Sequence, residues 1–489
     1  MCIGVTVLMR VPFWNAPLTA DEGGYAYVAR AWSRGATLYR TAWVDRPQGL
    51  LLLYRAVIGM GGHGLAIRLM ATLWAAALVV VIALIGRTLT ADWRPGLWAA
   101  GLFAVASGLP QIEGFAANGE LLAALPSALG VLLMAPTIRG IATGPSPFFS
   151  QARAPTPWIA SGGCCALAIL IKQSGYDAAL AITGFLAVAW AFRWWPRRRL
   201  ATILGWWALG FIVPIGLATA HGALIGWRDW WFAVAGYRLA VESVTTGPFH
   251  YRWLLFRASA QLAKPLLWAV GPFALVGLLR RPHRPFLVVC LWAVGATTAF
   301  ALGGLYHPHY YIGLLPSFCL LGGLGVDRLT RTRWPSVQPV VTSLATIAGL
   351  SMLVTALPIL TMSSTNARIT KAARDGRLAA NRPLAIWLRS QSSPSDTIYA
   401  MYADAALYFE ADRDSPYPYL WQLGVEHIPG ALDRLATLLD GPNRPRYVIT
   451  FGSPKSVPTG PRFVAILASR YKEVAIVGGA PVYERITGH

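Results

Sequence analysis

Two carboxylates stand side by side at Asp21-Glu22, inside the run Pro17-Leu18-Thr19-Ala20-Asp21-Glu22-Gly23-Gly24-Tyr25 that follows the first apolar stretch. Adjacent acids so close to hydrocarbon are costly unless something uses them. They can neutralise a cation, or one can be held by hydrogen bonds so that the other stays a competent base. The plainer reading is that they open a helix, Glu22–Arg34, whose positive N-terminal end favours acids. Capping does not exclude catalysis, and both readings stay open. The remaining acids sharpen the question. Only ten occur in the first 360 residues. Eight of them (Asp21, Glu22, Asp45, Glu113, Glu120, Asp177, Asp229 and Glu242) fall at one set of helix ends or in the loops joining them. Carboxylates gathered on one face are what a site opening to that face requires.

The elements that must position these groups are membrane helices. Of 489 residues, 55% are hydrophobic and 13% charged, about half the charged fraction of a soluble domain. Apolar runs of membrane length recur at 65–86, 95–112, 120–136, 157–172, 175–193, 201–224, 265–280, 286–304, 312–327 and 339–360. A shorter run, 1–13, reads as the outer half of a first helix that starts upstream of Met1, and no small-residue cleavage site marks it as a signal peptide. The expected fold is an α-helical polytopic membrane protein of about eleven transmembrane helices, followed by a small α/β domain.

Charge sets the orientation. The formal net charge is +21, but the basic residues sit mostly in short loops between apolar runs, so nucleic acid is not the partner they imply. One set of loops holds Arg87, Arg94, Arg139, Arg153, Arg193, Arg197, Arg198, Arg199, Arg280, Arg281, Arg284, Arg328, Arg331 and Arg333 against only Asp92 and Asp327. Basic loops stay in the cytoplasm, which puts the eight acids and everything after 361 outside. The predominance of Arg over Lys, with abundant Ala, Gly and Trp, fits a bacterial plasma membrane. Cys2, Cys164, Cys165, Cys290 and Cys319 lie at the N-terminus or in apolar runs and form no disulfide framework or metal motif. Residues 1–360 therefore read as the membrane domain, with outer loops at 14–64 and 225–264. Residues 361–489 read as an extracytoplasmic α/β domain: a helical segment near 368–391 precedes β-like runs at 396–402, 446–451 and 473–484, with a helix near 429–440 between them.

An Asp-Glu pair after the first helix, a Tyr three residues on, the segment Gly35-Ala36-Thr37-Leu38-Tyr39 and the element Asp45-Arg46-Pro47 together resemble the GT-C superfamily of membrane glycosyltransferases. The branch it looks like contains the protein O-mannosyltransferases, the lipid A aminoarabinose transferase and the RgtA/B/C/D-like enzymes. The resemblance implies transfer of a sugar, hexosyl or pentosyl, from a polyprenyl-phosphate carrier to an envelope glycan, lipid or protein on the outer face, with inversion. It implies that Asp21 is the catalytic base and Glu22 its partner. Arg46-Pro47 resembles the family's Lys/His-Pro element, with Gln48 where a second Pro is common. Asn118-Gly119-Glu120 sits where the family often carries an acid. Lys172-Gln173-Ser174-Gly175 resembles a Lys-Gly or Lys-Gln helix break, and His307-Pro308-His309-Tyr310-Tyr311 resembles a basic-aromatic segment leading into a late helix. On this likeness Asp45, Arg46, Glu120, Lys172, Gln173, His307, His309 and Tyr310 are the donor-binding candidates.

The physical chemistry agrees in kind. A polyprenyl phosphate needs cationic donors at headgroup depth, and Lys172, His307 and His309 offer them at the outer ends of separate helices. The plainer alternatives are a snorkelling lysine and histidines packed in an aromatic belt with Tyr306, Tyr310 and Tyr311. A divalent metal would draw on Glu113, Glu120 and His309, although their spacing is not a metal signature. The loop 225–264, with Trp227, Arg228, Trp230, Trp231, Arg238, Arg252, Trp253 and Arg257, fits helices lying in the membrane interface. A transporter or flippase of a lipid-linked saccharide is the rival class. No internal repeat supports it, and the acids lie at the rim rather than mid-span. A non-catalytic assembly protein binding partners through its tail is the third reading.

Overall fold

The computed structural model describes residues 1–143, 155–240, 249–279, 284–331, 336–401, 405–452 and 460–486. Arg153, Glu242, Arg280, Arg281 and Arg333, counted above as loop charges, lie outside the described residues. Among the described residues six helices are long and apolar enough to cross a membrane: Gly64–Thr90, Gly119–Thr143, Arg197–Ala240, Arg284–Leu302, Pro308–Thr330 and Val337–Leu360. Phe249–Leu262 and Lys264–Leu279, bent by 87°, make a seventh if taken together. These are fewer than the eleven expected, and the reason is length. Trp93–Ala106, Thr156–Ile171 and Asp177–Ala191 are apolar helices of 14, 16 and 15 residues. At 1.5 Å per residue such helices reach about 21 to 24 Å, short of a hydrocarbon core of about 30 Å.

Burial sorts the spans. The most apolar windows of Gly119–Thr143 and Pro308–Thr330 are each 72% buried, against 22% for Arg197–Ala240 and Val337–Leu360. The first two are thus the interior helices, and what they carry faces protein rather than lipid. Small residues let the bundle close. A Cβ on Gly162 would lie 1.9 Å from the Trp207 carbonyl oxygen, and one on Gly210 would lie 1.9 Å from that of Ile159. The Thr156–Ile171 and Arg197–Trp231 backbones are therefore in contact, as small residues allow in lipid, where burial gives helices little reason to associate.

The tail holds a four-stranded sheet of β1 (Ile398–Met401), β2 (Tyr447–Thr450), β3 (Tyr471–Val477) and β4 (Ala480–Arg485), in the order β1-β2-β4-β3. β1 and β2 are parallel; β4 runs antiparallel to β2 and β3. The run expected as one strand at 473–484 is a hairpin, because Gly478 and Gly479 take φ of 58° and 84°, the left-handed pair a tight turn needs. The helix expected at 368–391 is broken into Thr365–Ala373 and Leu378–Gln391, with Arg374 at φ 54° between them.

The tail packs onto the first loop. Helix Ala20–Ser33 lies against helix Ala405–Ala411, and two glycines permit it: a Cβ on Gly23 would stand 2.4 Å from the Ala406 Cα, and one on Gly24 would stand 2.3 Å from the Trp421 ring. Arg30 donates to Asp412 at 2.6 Å and to the Tyr408 carbonyl at 3.1 Å, while Tyr27 accepts from the Ser415 N–H at 2.9 Å. The loop expected to hold interfacial helices begins at Gly226, whose φ of 129° kinks the long helix. Trp227, Trp230 and Trp231 cluster just beyond the kink, and Arg40 bonds Asp229 at 2.8 Å beside it.

Candidate active site

The first loop separates its two carboxylates completely. Thr19, extended at ψ 161°, caps helix Ala20–Ser33 and accepts from the Glu22 N–H, while Glu22 reaches back to the Thr19 N–H. This reciprocal box satisfies two of the helix's orphan donors. Glu22 is fully buried, and both of its oxygens are engaged: one by the Thr19 N–H at 3.1 Å, the Thr19 hydroxyl at 3.0 Å and Arg68 at 3.0 Å, the other by the Ala117 N–H at 2.8 Å. Glu22 thus fastens the helix start to the bundle, and of the two carboxylates expected to be catalytic only Asp21 is partly exposed. Asp21 is partly exposed and accepts one hydrogen bond, from the Trp421 indole N–H at 3.1 Å.

The connector between residues 34 and 47 sets Asp45 and Arg46. Tyr39, at φ 70°, donates its hydroxyl to the Arg46 carbonyl at 2.9 Å, and Pro47 then starts helix Gln48–Gly59. Asp45 is clasped between Arg46, at 2.7 Å, and Arg238. Burial pushes the Asp45 carboxyl up, but Arg238 and Arg46 outweigh it and hold it below the ordinary carboxylate range. Gln173 donates to the Asp45 carbonyl at 2.8 Å and to the Val234 carbonyl at 3.0 Å, tying three segments together. Lys172 ends its helix in an extended conformation, pairs with Glu120, and stands 4.4 Å from the centre of the Tyr310 ring.

Several of these residues open onto a cavity of about 490 Å³. Arg46, Glu120, Lys172, Gln173, Arg238 and Tyr310 form its polar wall, and Ile169, Leu170, Ile215, Val234, Leu239 and Phe300 are among its apolar ones. The Nε of Arg46 and the indole N–H of Trp230, another lining residue, are buried with no hydrogen-bond partner among the described residues. A positive, apolar-walled cavity with buried donors to spare is built for an anion carrying a hydrocarbon tail. Asp177 lines the same cavity and is held by Ser127 at 2.9 Å and Trp292 at 2.7 Å.

Not every expected residue lines this cavity. Asp45 braces two of the arginines rather than lining it, and His307 and His309 are likewise outside the lining. His309 sits behind Glu120 with His307 stacked on it at 5.5 Å. Burial, then His309, push the His307 imidazole down to about 4. Asp21 does not line the cavity either, but it is one helical turn from Tyr25, whose ring lies 5.7 Å from the Arg46 guanidinium. Residues four apart share a helix face, so Asp21 lies on the side of its helix that carries Tyr25 toward Arg46, outside the cavity lining.

The proposed metal set does not converge. His309 presents Nδ1 to Glu113 at 3.3 Å and Nε2 to Glu120 at 3.8 Å, so the carboxylates flank opposite edges of the ring, and no single ion could bind all three. No group of three or more His, Cys, Asp or Glu among the described residues is arranged to hold one. Glu113 is instead held at φ 55°, a strained position for a residue with a side chain.

Two residues escaped sequence reasoning. Arg238 looked like one more arginine of an interfacial loop, and nothing local ties it to Asp45, which lies nearly two hundred residues earlier. Trp421 lies in a tail that carries no motif.

No family profile matches the sequence, and no curated protein does either. Solved structures do. ArnT from Cupriavidus metallidurans bound to undecaprenyl phosphate aligns with a TM-score of 0.64 and 14% identity over 99% of this chain and 97% of its own. Its apo state gives 0.63 and 13% over 98% and 96%. AglB, the archaeal oligosaccharyltransferase from Archaeoglobus fulgidus, in complex with an inhibitory peptide and a dolichol-phosphate, gives 0.55 and 12% over 99% of this chain and 73% of its own. Likeness that spans this chain and ArnT nearly end to end, tail included, shows that the two share one fold, and on it the described residues of this chain carry six helices long and apolar enough to cross a membrane.

Proposed function

We propose that the protein is a glycosyltransferase that takes a sugar from a polyprenyl-phosphate carrier and places it, with inversion, on a hydroxyl of an envelope glycan, lipid or protein outside a bacterial plasma membrane. Residues 361–489 form its extracytoplasmic domain in this reading, on the orientation set by the arginine-rich loops. The observation that carries the proposal is the meeting of Arg46, Lys172 and Arg238 in one apolar-walled cavity. Arg46, Lys172 and Arg238 outnumber the lining carboxylates Glu120 and Asp177, the Nε of Arg46 and the indole N–H of Trp230 are donors without a partner among the described residues, and the apolar walls suit an isoprenoid.

In the mechanism, Asp21 takes the proton of the acceptor hydroxyl as that oxygen bonds to the anomeric carbon. The bond from that carbon to the phosphate oxygen breaks on the opposite face, and polyprenyl phosphate leaves with the electron pair. Arg46, Lys172 and Arg238 stabilise the charge that grows on the phosphate, where preorganised donors are most effective. Tyr310 orients Lys172, and Asp45 and Gln173 hold the arginine-bearing segments in register.

The test measures binding of undecaprenyl phosphate to purified protein in detergent, together with sugar transfer in vesicles. Arg238→Gln and Arg46→Gln should each weaken phosphate-lipid binding by about tenfold or more, since a hydrogen bond to a charged group contributes roughly 1.5 to 3 kcal/mol. The change Asp21→Asn should leave that binding intact and abolish transfer. Wild-type affinity in both arginine variants would refute the phosphate site.

A further inference from the structure

A second concavity, of about 390 Å³, lies apart from the cavity, between the start of helix Gly64–Thr90 and helix Leu378–Gln391 of the tail. Trp14, Leu18, Leu65 and Phe409 are apolar walls, and His63, Arg382 and Arg389 supply its basic groups. The acid in it, Glu410, accepts from the Leu18 N–H at 2.9 Å, and Arg389 donates to the Glu410 carbonyl. Arg382 is exposed and makes no ion pair among the described residues.

Depth comes from the chain itself. Gly64 and Leu65 begin a 27-residue apolar span, so the groove lies where that span leaves the hydrocarbon. Leu65 is 45% exposed and Met60 80%, which leaves apolar surface open beside the basic groups. The charge continues along the neighbouring tail segment. Between 361 and 391 stand Arg368, Lys371, Arg374, Arg377, Arg382 and Arg389 against Asp375 alone, and Asp375 is occupied by Arg377 at 2.6 Å. Basic clusters immediately beyond a membrane helix attract anionic lipid headgroups.

We propose that this groove binds the phosphate headgroup of an anionic lipid in the adjoining leaflet. The phosphate sits between Arg382 and Arg389, and the acyl chains run down past Leu65 and Met60. The site is separate from the carrier cavity and does not depend on the transfer reaction. It would seat the tail against the bilayer at the loop that carries Asp21.

The experiment is native mass spectrometry of the full chain titrated with dioleoylphosphatidylglycerol, with dioleoylphosphatidylcholine as the neutral probe. The wild type should retain the anionic lipid preferentially. Arg382→Gln with Arg389→Gln should weaken it by about thirtyfold, taking roughly one kcal/mol per basic residue at an anionic surface. Arg382→Gln alone, which leaves the Arg389–Glu410 contact in place, should lose several-fold. Arg434→Gln with Arg485→Gln removes two exposed tail charges elsewhere and should change nothing. Unchanged preference in the double variant, or an equal loss in the control pair, would overturn the proposal. Displacement of the lipid by an equal concentration of inorganic phosphate would overturn it too, because the groove would then be a soluble-phosphate site.

Discussion

Asp21 and Glu22 are neighbours in sequence and similar in chemistry, yet their surroundings predict opposite phenotypes. Glu22→Gln removes the charge that faces Arg68, and the two side chains are 0% and 1% exposed. Both Glu22 oxygens accept from N–H or guanidinium donors, so whichever way the amide turns, its NH₂ meets another donor. Breaking one partner of a buried ion pair costs about 3–5 kcal/mol. Asp21→Asn keeps an acceptor for the Trp421 indole, lies outside the capping box and is partly exposed. Its stability should stay within about 0.5 kcal/mol of wild type. Its activity should fall about a hundredfold to ten-thousandfold, as for loss of a general base. The assay pairs fluorescence-detected thermal unfolding in detergent with transfer from a polyprenyl-phosphate sugar in vesicles. Glu22→Gln should unfold markedly earlier, whereas Asp21→Asn should melt like wild type and turn over almost nothing. Near-normal turnover by a folded Asp21→Asn protein, or an undiminished melting temperature for Glu22→Gln, would refute the division of roles.

Gly24→Ala places a methyl 2.3 Å from the Trp421 ring and should cost about 1–3 kcal/mol as overpacking, read as easier proteolysis of the tail. Trp421→Phe keeps most of the ring but removes the N–H that holds Asp21; a hydrogen bond to a charged group of about 1.5 kcal/mol predicts roughly tenfold slower transfer with carrier binding unchanged. Lys172→Met strands Glu120, only 7% exposed, and should destabilise by about 3–5 kcal/mol, most of it recovered by adding Glu120→Gln. Asp45 has its carboxyl held below the ordinary range in the folded protein, so its contribution is complete above an unfolded value of about 3.9. That contribution disappears as pH falls through the lower folded value, and the melting difference between wild type and Asp45→Asn should shrink steadily on acidification below about pH 4.

The membrane bundle was readable because its signal is one-dimensional. Apolar runs such as 65–86 and 339–360 correspond to helices Gly64–Thr90 and Val337–Leu360, and a helix of that length needs no long-range information to be recognised. The short helices were harder. Thr156–Ile171 and Asp177–Ala191 are separated by the break at Lys172 to Tyr176, and hydropathy alone does not report how far a run stays helical. Of the residues that line the cavity, Lys172, Arg46 and Tyr310 stand out in the sequence because each sits at a helix boundary beside Pro, Gly or aromatic residues. Arg238 was not, because it lies within a helical stretch and acquires meaning only through Asp45. The commitment of Glu22 was hidden for the same reason: its partners Arg68 and Ala117 are remote in sequence.

The tail is the element whose importance sequence conceals most. It has no motif of its own, yet Trp421 is the hydrogen-bond partner of Asp21, from 400 residues away. The Gly23-Gly24 pair that follows the two acids is small because Ala406, Ala405 and Trp421 press against it. Arg30, on the same helix, is fixed by Asp412 and the Tyr408 carbonyl. A helix held this way along its length cannot tilt without undoing contacts to the bundle and to the tail. Its first turn is therefore positioned by the bundle through Glu22 and Arg68, and by the tail through Trp421 and Arg30. Asp21 stands where the two sets of constraints meet, one turn from the Tyr25 ring that Arg46 faces. A chain cut off before residue 361 would keep the cations of the cavity but lose the indole that bonds Asp21. Binding of the phosphate lipid and transfer of the sugar should accordingly be separable by truncation as well as by point substitution.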